Sequence, residues 1–456
     1  MLFRRYPRAV WLLVGLFALS LPAVTARVYS SDEIQYFAYL RSLWFDRDVS
    51  FENEYRWFYD RGIGRSEGFR ITFLDLETPT HRRVNFGTIG CAILWSPFYA
   101  AGDVAARALR AAGRDVAVDG FSKPYLAAVA YGSAVYGFAA LVLSYASARR
   151  LGFDALAPTL AIWFGTPLLF YMYVAPPMSH ACSAFAVALF VWTWLRVRDA
   201  WSPRGLVALG AAAALMAMVR EQDLFFVAGP ALDFGLWTAG FGQSLKPKAQ
   251  SLLLRAAAAA GAFIIVFAPQ AIAYVTLNGR LGPSQLVTRK MSWSGPHVLQ
   301  VLFSPEHGFF VWTPIACLAI AGLVVMIIRH RRVGVCLLLM VALQVYVGGS
   351  VESWTVAGGY GQRRFVALTA LLVIGLAALR QAIASVAARR LLAIVTVLAV
   401  YWNLALIAEF ATGLMDRQRL EPARNAYDAV VTLPARAPDL AYRYLFDRRS
   451  FYAPRP

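Results

Sequence analysis

The chain has 456 residues, of which 59% are hydrophobic, 15% charged and 14% aromatic. A typical soluble domain is roughly 45–50% apolar and about 25% charged, whereas the mean hydropathy of this chain is +0.53. These values argue against a soluble protein and against a disordered one. Apolar runs of about 18 residues or more recur along the sequence, and this is the length that crosses a bilayer.

The formal net charge is +18, and arginine supplies most of it. Most of the arginines stand at the ends of apolar runs, where basic residues orient membrane helices toward the cytoplasm. The charge is therefore no indication of nucleic-acid binding. The four cysteines are far apart, with neither metal-ligand spacing nor a disulfide framework: Cys91, Cys182, Cys317 and Cys336.

An apolar run from Ala9 to Val24 predicts the first membrane helix. Its end resembles a signal-peptidase site, but we expect an uncleaved helix because many spans follow. The polar loop 27–86 comes next and holds carboxylates, aromatics and arginines. Further apolar segments follow at 87–106, 124–147, 154–175, 179–197, 204–219, 223–240, 253–276, 309–328, 333–350, 365–380 and 391–411.

These segments predict an all-α polytopic membrane protein with about 11–12 transmembrane helices. Residues 1–411 form the transmembrane domain, which includes the outer loop 27–86 with interfacial helices. Residues 412–456 form a polar tail that is too short for a conventional folded domain.

The arginine clusters do not all predict the same side of the membrane, and the conflict concerns the N-terminal cluster. The N-terminal arginines Arg4 and Arg5 are separated from Arg149 and Arg150 by an odd number of segments. We therefore expect the segment 87–106 to be re-entrant or interfacial, a conformation tolerated where neighbouring protein covers the backbone. The polar stretches between the apolar segments then all lie on the outer side of the membrane, and we call them the outer islands: 27–86, 176–180, 220–223, 277–308, 351–364 and the tail.

The first outer island begins with an acidic pair, Asp32 and Glu33. Residues at helical spacing from Ile34 to Trp44 predict a helix in the membrane interface. Two interpretations of the pair stay open. Ser30 and Glu33 match a capping box, which explains Glu33 better than Asp32. A carboxylate at the outer surface is also suited to accept a proton from a hydroxyl group.

The later islands contribute basic residues at the outer membrane edge. Arginine and histidine there are suited to bind a phosphate, and the candidates are His180, Arg220, His307, Arg363 and Arg364. Structural alternatives remain for each kind of residue. His180 also fits a helix end, Arg220 a pairing with Glu221 or Asp223, and the other arginines an anchor in lipid headgroups.

Other polar residues of the islands are candidates for contacting a substrate: Glu54, Tyr55, His81, Arg82, Gln222 and Tyr360. No spacing of acids and histidines enforces a metal site. We therefore predict no required cofactor, although a divalent metal remains possible.

These features resemble the bacterial GT-C superfamily of membrane glycosyltransferases, near the protein O-mannosyltransferases (glycosyltransferase family 39) and the lipid A aminoarabinose transferases. The likeness lies in a first span, a long outer loop that opens with Asp32 and Glu33, and later spans with isolated outer basic residues. It extends to the segments 307–314 and 358–364.

The resemblance implies transfer of a sugar from a polyprenyl-phosphate donor to a hydroxyl of a lipid, glycan or protein acceptor. The enzyme would lie among the lipids of the bacterial inner membrane, with its active site toward the periplasm. Asp32 would be the general base, assisted by Glu33, and the basic residues would stabilise the leaving phosphate.

Two other classes of function remain open. A transporter or flippase of a lipid-linked sugar should carry polar residues near the middle of the membrane. A non-catalytic assembly protein gives no reason for Asp32, Arg220 and Arg363 to converge. The enzyme interpretation requires Asp32 to lie within roughly 15 Å of an outer arginine, because the reacting groups must meet across one sugar.

Overall fold

The computed structural model describes residues 7–240, 249–356 and 358–451. Within these residues the chain is helical and forms no β-strand, with only two isolated bridges, Glu77 with Arg83 and Met291 with Val351. The prediction of an all-α protein is confirmed. Arg4 and Arg5, which the sidedness argument used, lie outside the described residues.

The longer helices are α1 (Pro7–Ser20), α2 (Ser31–Arg41), α3 (Glu52–Asp60), α4 (Gly90–Ala111), α5 (Lys123–Arg150), α6 (Leu156–Gly165), α7 (His180–Val197), α8 (Pro203–Val219), α9 (Ala228–Thr238), α10 (Ala249–Asn278), α11 (Ile315–Arg329), α12 (Arg331–Ser350), α13 (Thr369–Ala382), α14 (Val386–Thr412) and α15 (Leu433–Phe446). Short α-helices lie at Glu67–Phe69, Leu168–Tyr173, Gln285–Thr288, Val298–Phe303, Phe309–Trp312 and Pro422–Tyr427. Short 3₁₀- or π-helices occupy Leu21–Ala23, Ser42–Asp46, Arg70–Asp75, Glu221–Val227, Arg363–Leu368, Asp428–Thr432 and Arg448–Phe451.

The chain is a multi-pass membrane protein. In the described part, 6 helical stretches are long and apolar enough to cross a membrane: Lys123–Arg150, His180–Val197, Ser251–Asn278, Arg331–Ser350, Arg363–Ala382 and Val386–Thr412. Shorter apolar stretches lie at Arg8–Ala23, Leu156–Gly165, Pro203–Val219 and Ile315–Arg329. The segment 87–106 was expected to be re-entrant or interfacial instead of a simple span. It contributes to α4, a helix with Pro97 inside it, and α4 is neither among the six long apolar stretches nor among the shorter ones.

Two segments are broken where the sequence predicted continuous helices. The segment 154–175 divides into α6 and the short helix Leu168–Tyr173, and Pro167 lies between them. The segment 309–328 divides at Pro314, after which α11 begins. Proline donates no backbone hydrogen bond and disfavours the helical conformation in the residue before it. Thr166 and Thr313, which precede these prolines, both have non-helical backbone angles.

The helices differ in how deeply they are buried. In α7 and in the stretch that ends with α13, 78% of the apolar window is buried, against 22% in α14 and 0% in α10. The first two are therefore central helices, and the other two face lipid. Both central helices begin at the end of the molecule that carries the outer islands.

Small residues bring α11 and α13 into close contact. A Cβ atom on Gly322 would overlap the carbonyl oxygen of Gly375, and a Cβ on Gly375 would overlap the carbonyl oxygen of Ala319. The backbones can approach this closely only because glycine has no side chain. This crossing supports α13, which follows Arg363 and Arg364 in the chain.

We expect Gly322→Ala to destabilise the protein by about 2 kcal/mol, because the added methyl forces α11 away from α13. Gly261→Ala is the matched control, since a Cβ at Gly261 meets no atom within 4 Å. It should be neutral or stabilise α10 by up to about 1 kcal/mol. Thermal unfolding in detergent measures both, and equal melting temperatures for the two variants would contradict the close crossing.

Candidate active site

One cavity of about 420 Å³ collects side chains from five of the outer islands, the loop 277–308 among them. It opens between α2, the start of α7, the end of α8 and the 3₁₀-helix Arg363–Leu368 that precedes α13. Six of the residues singled out in the sequence line it: Asp32, His180, Arg220, Gln222, Arg363 and Arg364.

An ion pair connects the acidic pair of the first loop with the last outer arginines. Nη2 of Arg363 lies 2.9 Å from Oδ2 of Asp32, and their side chains are 19% and 40% exposed. The cap at Ser30 starts α2 and places Asp32 in its first turn. The distance satisfies the 15 Å requirement set by the sequence argument.

Arg220 reaches the same cavity from the end of α8. Its backbone leaves the helix in an extended conformation, with φ −152° and ψ 119°, and Nη1 contacts Nδ1 of buried His180. A guanidinium has only donors, so His180 accepts through Nδ1. The two neighbouring acids bond elsewhere: Glu221 accepts from the Tyr274 hydroxyl, and Asp223 accepts from Ser183 at 2.6 Å.

The lining of the cavity is cationic on one side. Arg220, Lys290, Arg363 and Arg364 face it, against the two carboxylates of Asp32 and Glu221. Arg364 is held by Ser353, donating to its carbonyl oxygen at 3.0 Å and to its Oγ at 3.2 Å. An excess of guanidinium groups with fixed geometry is suited to bind a phosphate.

The remaining wall is apolar and aromatic. Phe225, Met291, Trp293, Val347 and Val351 line it, and the rings of Phe225 and Trp293 lie 6.0 Å apart. The cavity therefore joins a charged end to a surface that favours hydrocarbon. An amphiphile with an anionic headgroup matches both parts.

The sequence argument missed several lining residues. Tyr36 follows Asp32 by one helical turn and so lies on the same face of α2, a signal that was present in the spacing. Lys290 had a weaker signal in the sequence. It is a lysine in an outer loop, whereas most basic residues of the chain are arginines. Ser179, Trp293 and Ser353 are brought to the cavity by the fold alone.

Glu33 does not line the cavity. Its Oε2 accepts the backbone N–H groups of Tyr29 at 2.8 Å and Ser30 at 2.9 Å, and the complete capping box forms. Burial raises the pKa of Glu33 to about 7, against the opposing effect of these two N–H groups. The capping interpretation of Glu33 is confirmed, and its carboxylate is not placed to assist Asp32.

Four further candidates lie within the first loop and away from the cavity. Glu54 is buried in an ion pair with Arg41 at 2.9 Å, and the Tyr55 hydroxyl donates to the carbonyl of Val84 at 3.0 Å. His81 is 90% exposed beside Glu77, and Arg82 is absent from the cavity lining. Their proximity in sequence to Asp32 did not bring them to the site, because this loop packs on its own aromatic core.

His307 and Tyr360 lie behind the site instead of in it. Nε2 of His307 contacts the carbonyl oxygen of Gly359 at 2.9 Å, and burial lowers the pKa of His307 to about 4. A neutral ring is not a phosphate-binding cation at pH 7. The Tyr360 hydroxyl bonds to Asn403 at 3.0 Å, so both residues hold the turn that precedes Arg363.

The glycine-rich turn itself is not an open anion cradle. The N–H of Gly359 donates to the carbonyl of Val356 at 3.0 Å, and the N–H of Tyr360 donates to the Tyr171 hydroxyl at 3.0 Å. Gly361 has φ +57°, and a Cβ there would lie 2.8 Å from Pro167. The glycine therefore serves the tight turn that delivers the two arginines.

Among residues 7–240, 249–356 and 358–451, no group of three or more His, Cys, Asp or Glu side chains is placed to hold a metal ion.

No family model and no curated protein matches this chain. A solved structure does: ArnT from Cupriavidus metallidurans bound to undecaprenyl phosphate, at 15% sequence identity and a TM-score of 0.55. The match covers 95% of this chain and 79% of ArnT. The chain has the ArnT fold. The GT-C resemblance seen in the sequence is thus confirmed at the level of the fold, and the ArnT fold extends over nearly the whole chain.

We expect Glu33→Gln to change how stability depends on pH. The folded pKa of Glu33, about 7, exceeds its ordinary 4.5, so its stabilising contribution is complete below pH 4.5 and is lost as the pH rises through 7. Glutamine keeps the accepting oxygen and carries no buried charge. The variant should gain up to about 3 kcal/mol over the wild type at pH 8 and nothing at pH 4.5.

Thermal unfolding of the purified protein between pH 4.5 and pH 8 measures this difference. Glu352→Gln, at an exposed carboxylate, is the control and should leave the pH profile unchanged. Parallel profiles for wild type and Glu33→Gln would contradict the assignment.

Proposed function

We propose that this protein is a glycosyltransferase that moves a sugar from a polyprenyl-phosphate donor to an acceptor hydroxyl, with Asp32 as general base. The observation that carries the proposal is the cavity in which Asp32 pairs with Arg363 at 2.9 Å beside Arg220, Arg364 and Lys290. A base and a phosphate-binding group must both contact one sugar, and this cavity holds both.

In the proposed reaction Asp32 accepts the proton of the acceptor hydroxyl while the hydroxyl oxygen attacks the anomeric carbon. The bond between that carbon and the phosphate oxygen breaks, and the polyprenyl phosphate departs with the electron pair. Attack from the face opposite the leaving group inverts the anomeric configuration.

The leaving phosphate gains negative charge in the transition state. Arg220, Arg363 and Arg364 are held by the ends of packed helices and can stabilise this charge without reorganising. Lys290 supplies a further cation from the loop side. The proposal requires no metal ion, because the side chains provide the positive charge that a metal would otherwise supply.

A lipid-linked donor is supported by two facts. The apolar wall of the cavity, with Phe225, Trp293 and Val347, continues from the charged end. The ArnT structure contains bound undecaprenyl phosphate, in a protein of the same fold.

The proposed membrane orientation places the cavity on the periplasmic side of a bacterial inner membrane. Arginine clusters at the opposite helix ends support it, since α5 ends with Arg149 and Arg150 and α11 ends with Arg329. Positive residues favour the cytoplasmic side.

The position of the charges favours an enzyme over a transporter. His180 starts α7, Arg220 follows α8, and Arg363 precedes α13. These charges collect at one end of the bundle, whereas a transport path requires polar groups at mid-membrane depth.

We expect Asp32→Asn to lower kcat by about 10²–10⁴-fold, because asparagine cannot accept the acceptor's proton. The assay follows transfer from a radiolabelled polyprenyl-phosphate sugar in membranes. Asp115→Asn, in an exposed loop away from the cavity, is the control and should retain full activity. Turnover by a folded Asp32→Asn variant at the wild-type rate would remove Asp32 from the mechanism.

Substitutions of Lys290 test the role of the loop 277–308 in donor binding. Lys290→Gln should raise KM for the donor about tenfold with a smaller effect on kcat, because one charge-assisted contact to phosphate is lost. Lys290→Arg should restore most of the affinity. The neighbouring Arg289 does not line the cavity, so an equal effect of Arg289→Gln would indicate a general charge effect instead.

A further inference from the structure

A small second cavity, of about 10 Å³, adjoins the cavity that holds Asp32. The two cavities share part of their walls, including Glu221 and Val287. The other walls of the small cavity come from α2, the end of α10 and the loop 277–308. We call it the Glu221 pocket. Its volume admits one group of the size of a water molecule or a hydroxyl.

Glu221 lies between the two cavities and presents a carboxylate to both. Its Oε1 accepts from the Tyr274 hydroxyl. Among residues 7–240, 249–356 and 358–451, no donor bonds to its other oxygen, Oε2. Burial raises the pKa of Glu221, and the Tyr274 hydroxyl opposes this effect. A further hydrogen-bond donor at Oε2 would therefore stabilise the charged carboxylate.

Tyr39 contributes a hydroxyl to the same pocket. Its side chain is 1% exposed, and its ring packs on Phe51 with 4.9 Å between the centroids. Within the part of the chain that the structure describes, its hydroxyl has no hydrogen-bond partner. Burial and the nearby Glu221 carboxylate raise the pKa of Tyr39, so the hydroxyl keeps its proton. A buried hydroxyl without a partner is costly, and a ligand in the pocket would remove this cost.

The Glu221 pocket lies at the distance of one sugar ring from Asp32. Asp32, Tyr36 and Tyr39 stand at positions i, i+4 and i+7 of α2 and therefore share one face of the helix. The first two line the main cavity, and Tyr39 lines the pocket. From Asp32 to Tyr39 the helix rises about 10 Å, a length that one pyranose ring spans with a hydrogen-bonded group at each end. A sugar with its anomeric carbon beside Asp32 thus directs the opposite position of the ring, C4, toward the pocket.

The chemistry of the pocket selects the group on that carbon. A carboxylate only accepts hydrogen bonds, whereas a protonated tyrosine hydroxyl also donates one. A sugar hydroxyl can donate to Glu221 and accept from Tyr39 at the same time. A sugar carboxylate would be repelled by Glu221. A sugar ammonium would add a cation to a site in which cations already outnumber carboxylates.

We propose that the Glu221 pocket binds the C4 hydroxyl of the transferred sugar, and that this sugar is an uncharged pyranose. The hydroxyl donates to Oε2 of Glu221 and accepts from the Tyr39 hydroxyl, while Tyr274 holds the carboxylate through Oε1. This inference rests on the proposed function, because it places the sugar between Asp32 and the pocket. Glu221 and Tyr39 determine specificity and take no part in proton transfer.

The test measures donor binding to the purified full chain in detergent, without acceptor. Each compound competes against radiolabelled undecaprenyl phosphate. The compounds are undecaprenyl phosphate itself and undecaprenyl phosphate that carries glucose, galactose or mannose. We expect the best of the three sugar donors to bind about tenfold tighter than undecaprenyl phosphate alone, because the contacts of the sugar add to those of the phosphate.

The 4-deoxy form of the best sugar donor separates the pocket from the rest of the site. In wild type, loss of this hydroxyl should weaken binding about tenfold. Tyr39→Phe should bind undecaprenyl phosphate as wild type does and should reduce the 4-deoxy penalty at least about threefold, because both deletions remove the same hydrogen bond. Glu221→Gln keeps an accepting oxygen but loses the charge, so it should also reduce the penalty. Tyr59→Phe, in the first loop and outside both cavities, is the control and should leave it unchanged.

The outcomes distinguish this inference from the proposed function. Sugar donors that bind no better than undecaprenyl phosphate would overturn the pocket assignment and leave the phosphate site in place. An equal 4-deoxy penalty in wild type and both pocket variants would also overturn it, as would tighter binding when an ammonium group replaces the C4 hydroxyl. Failure of undecaprenyl phosphate itself to bind would overturn the proposed function together with this inference.

Discussion

The ion pair between Asp32 and Arg363 is the constraint on which the arrangement of the outer end depends. A guanidinium at the edge of the bilayer is costly unless a partner or water neutralises it. Arg363 leads into the buried stretch that ends with α13, and Asp32 stands in the first turn of α2. Their contact at 2.9 Å fixes the interfacial helix against the central bundle, and the cavity forms around this junction.

Several acids of the outer end have pKa values that burial shifts toward the neutral form. Burial raises the pKa of Glu33 to about 7 and that of Asp223 to about 6, and Glu221 is shifted in the same direction. Glu33 and Asp223 serve internal hydrogen bonds. The Asp32 side chain lines the cavity and is 40% exposed. The carboxyl groups of Glu33 and Asp223 therefore hold the fold of the outer end, whereas the carboxylate of Asp32 is accessible from the cavity.

Much of this organisation could be predicted from local pattern. Hydropathy located the apolar segments, and the expectation that 87–106 is re-entrant or interfacial stays a prediction from charge parity. The capping box predicted the start of α2 because its two hydrogen bonds are local. The helix breaks at Pro167 and Pro314 were not predicted, although a proline marks each of them. The surrounding residues form one apolar run, which is typical of a continuous helix. Among the candidate site residues, those next to the ends of central helices line the cavity: His180, Arg220, Arg363 and Arg364. The candidates later in the first loop do not line it, because Tyr55 and Glu54 turn toward partners within that loop.

The sequence by itself determined that the protein is a helical, multi-pass membrane protein with its polar chemistry in loops, because hydropathy and helical period are local properties. Tertiary structure alone decided which loops meet. Asp32, Arg220 and Arg363 are separated by more than a hundred residues at each step, and only the packing of α2, α8 and α13 brings them to one cavity. Packing also decided that His307 is a buried neutral ring and that Lys290 faces the site. Burial and neighbours depend on contacts that no linear pattern records.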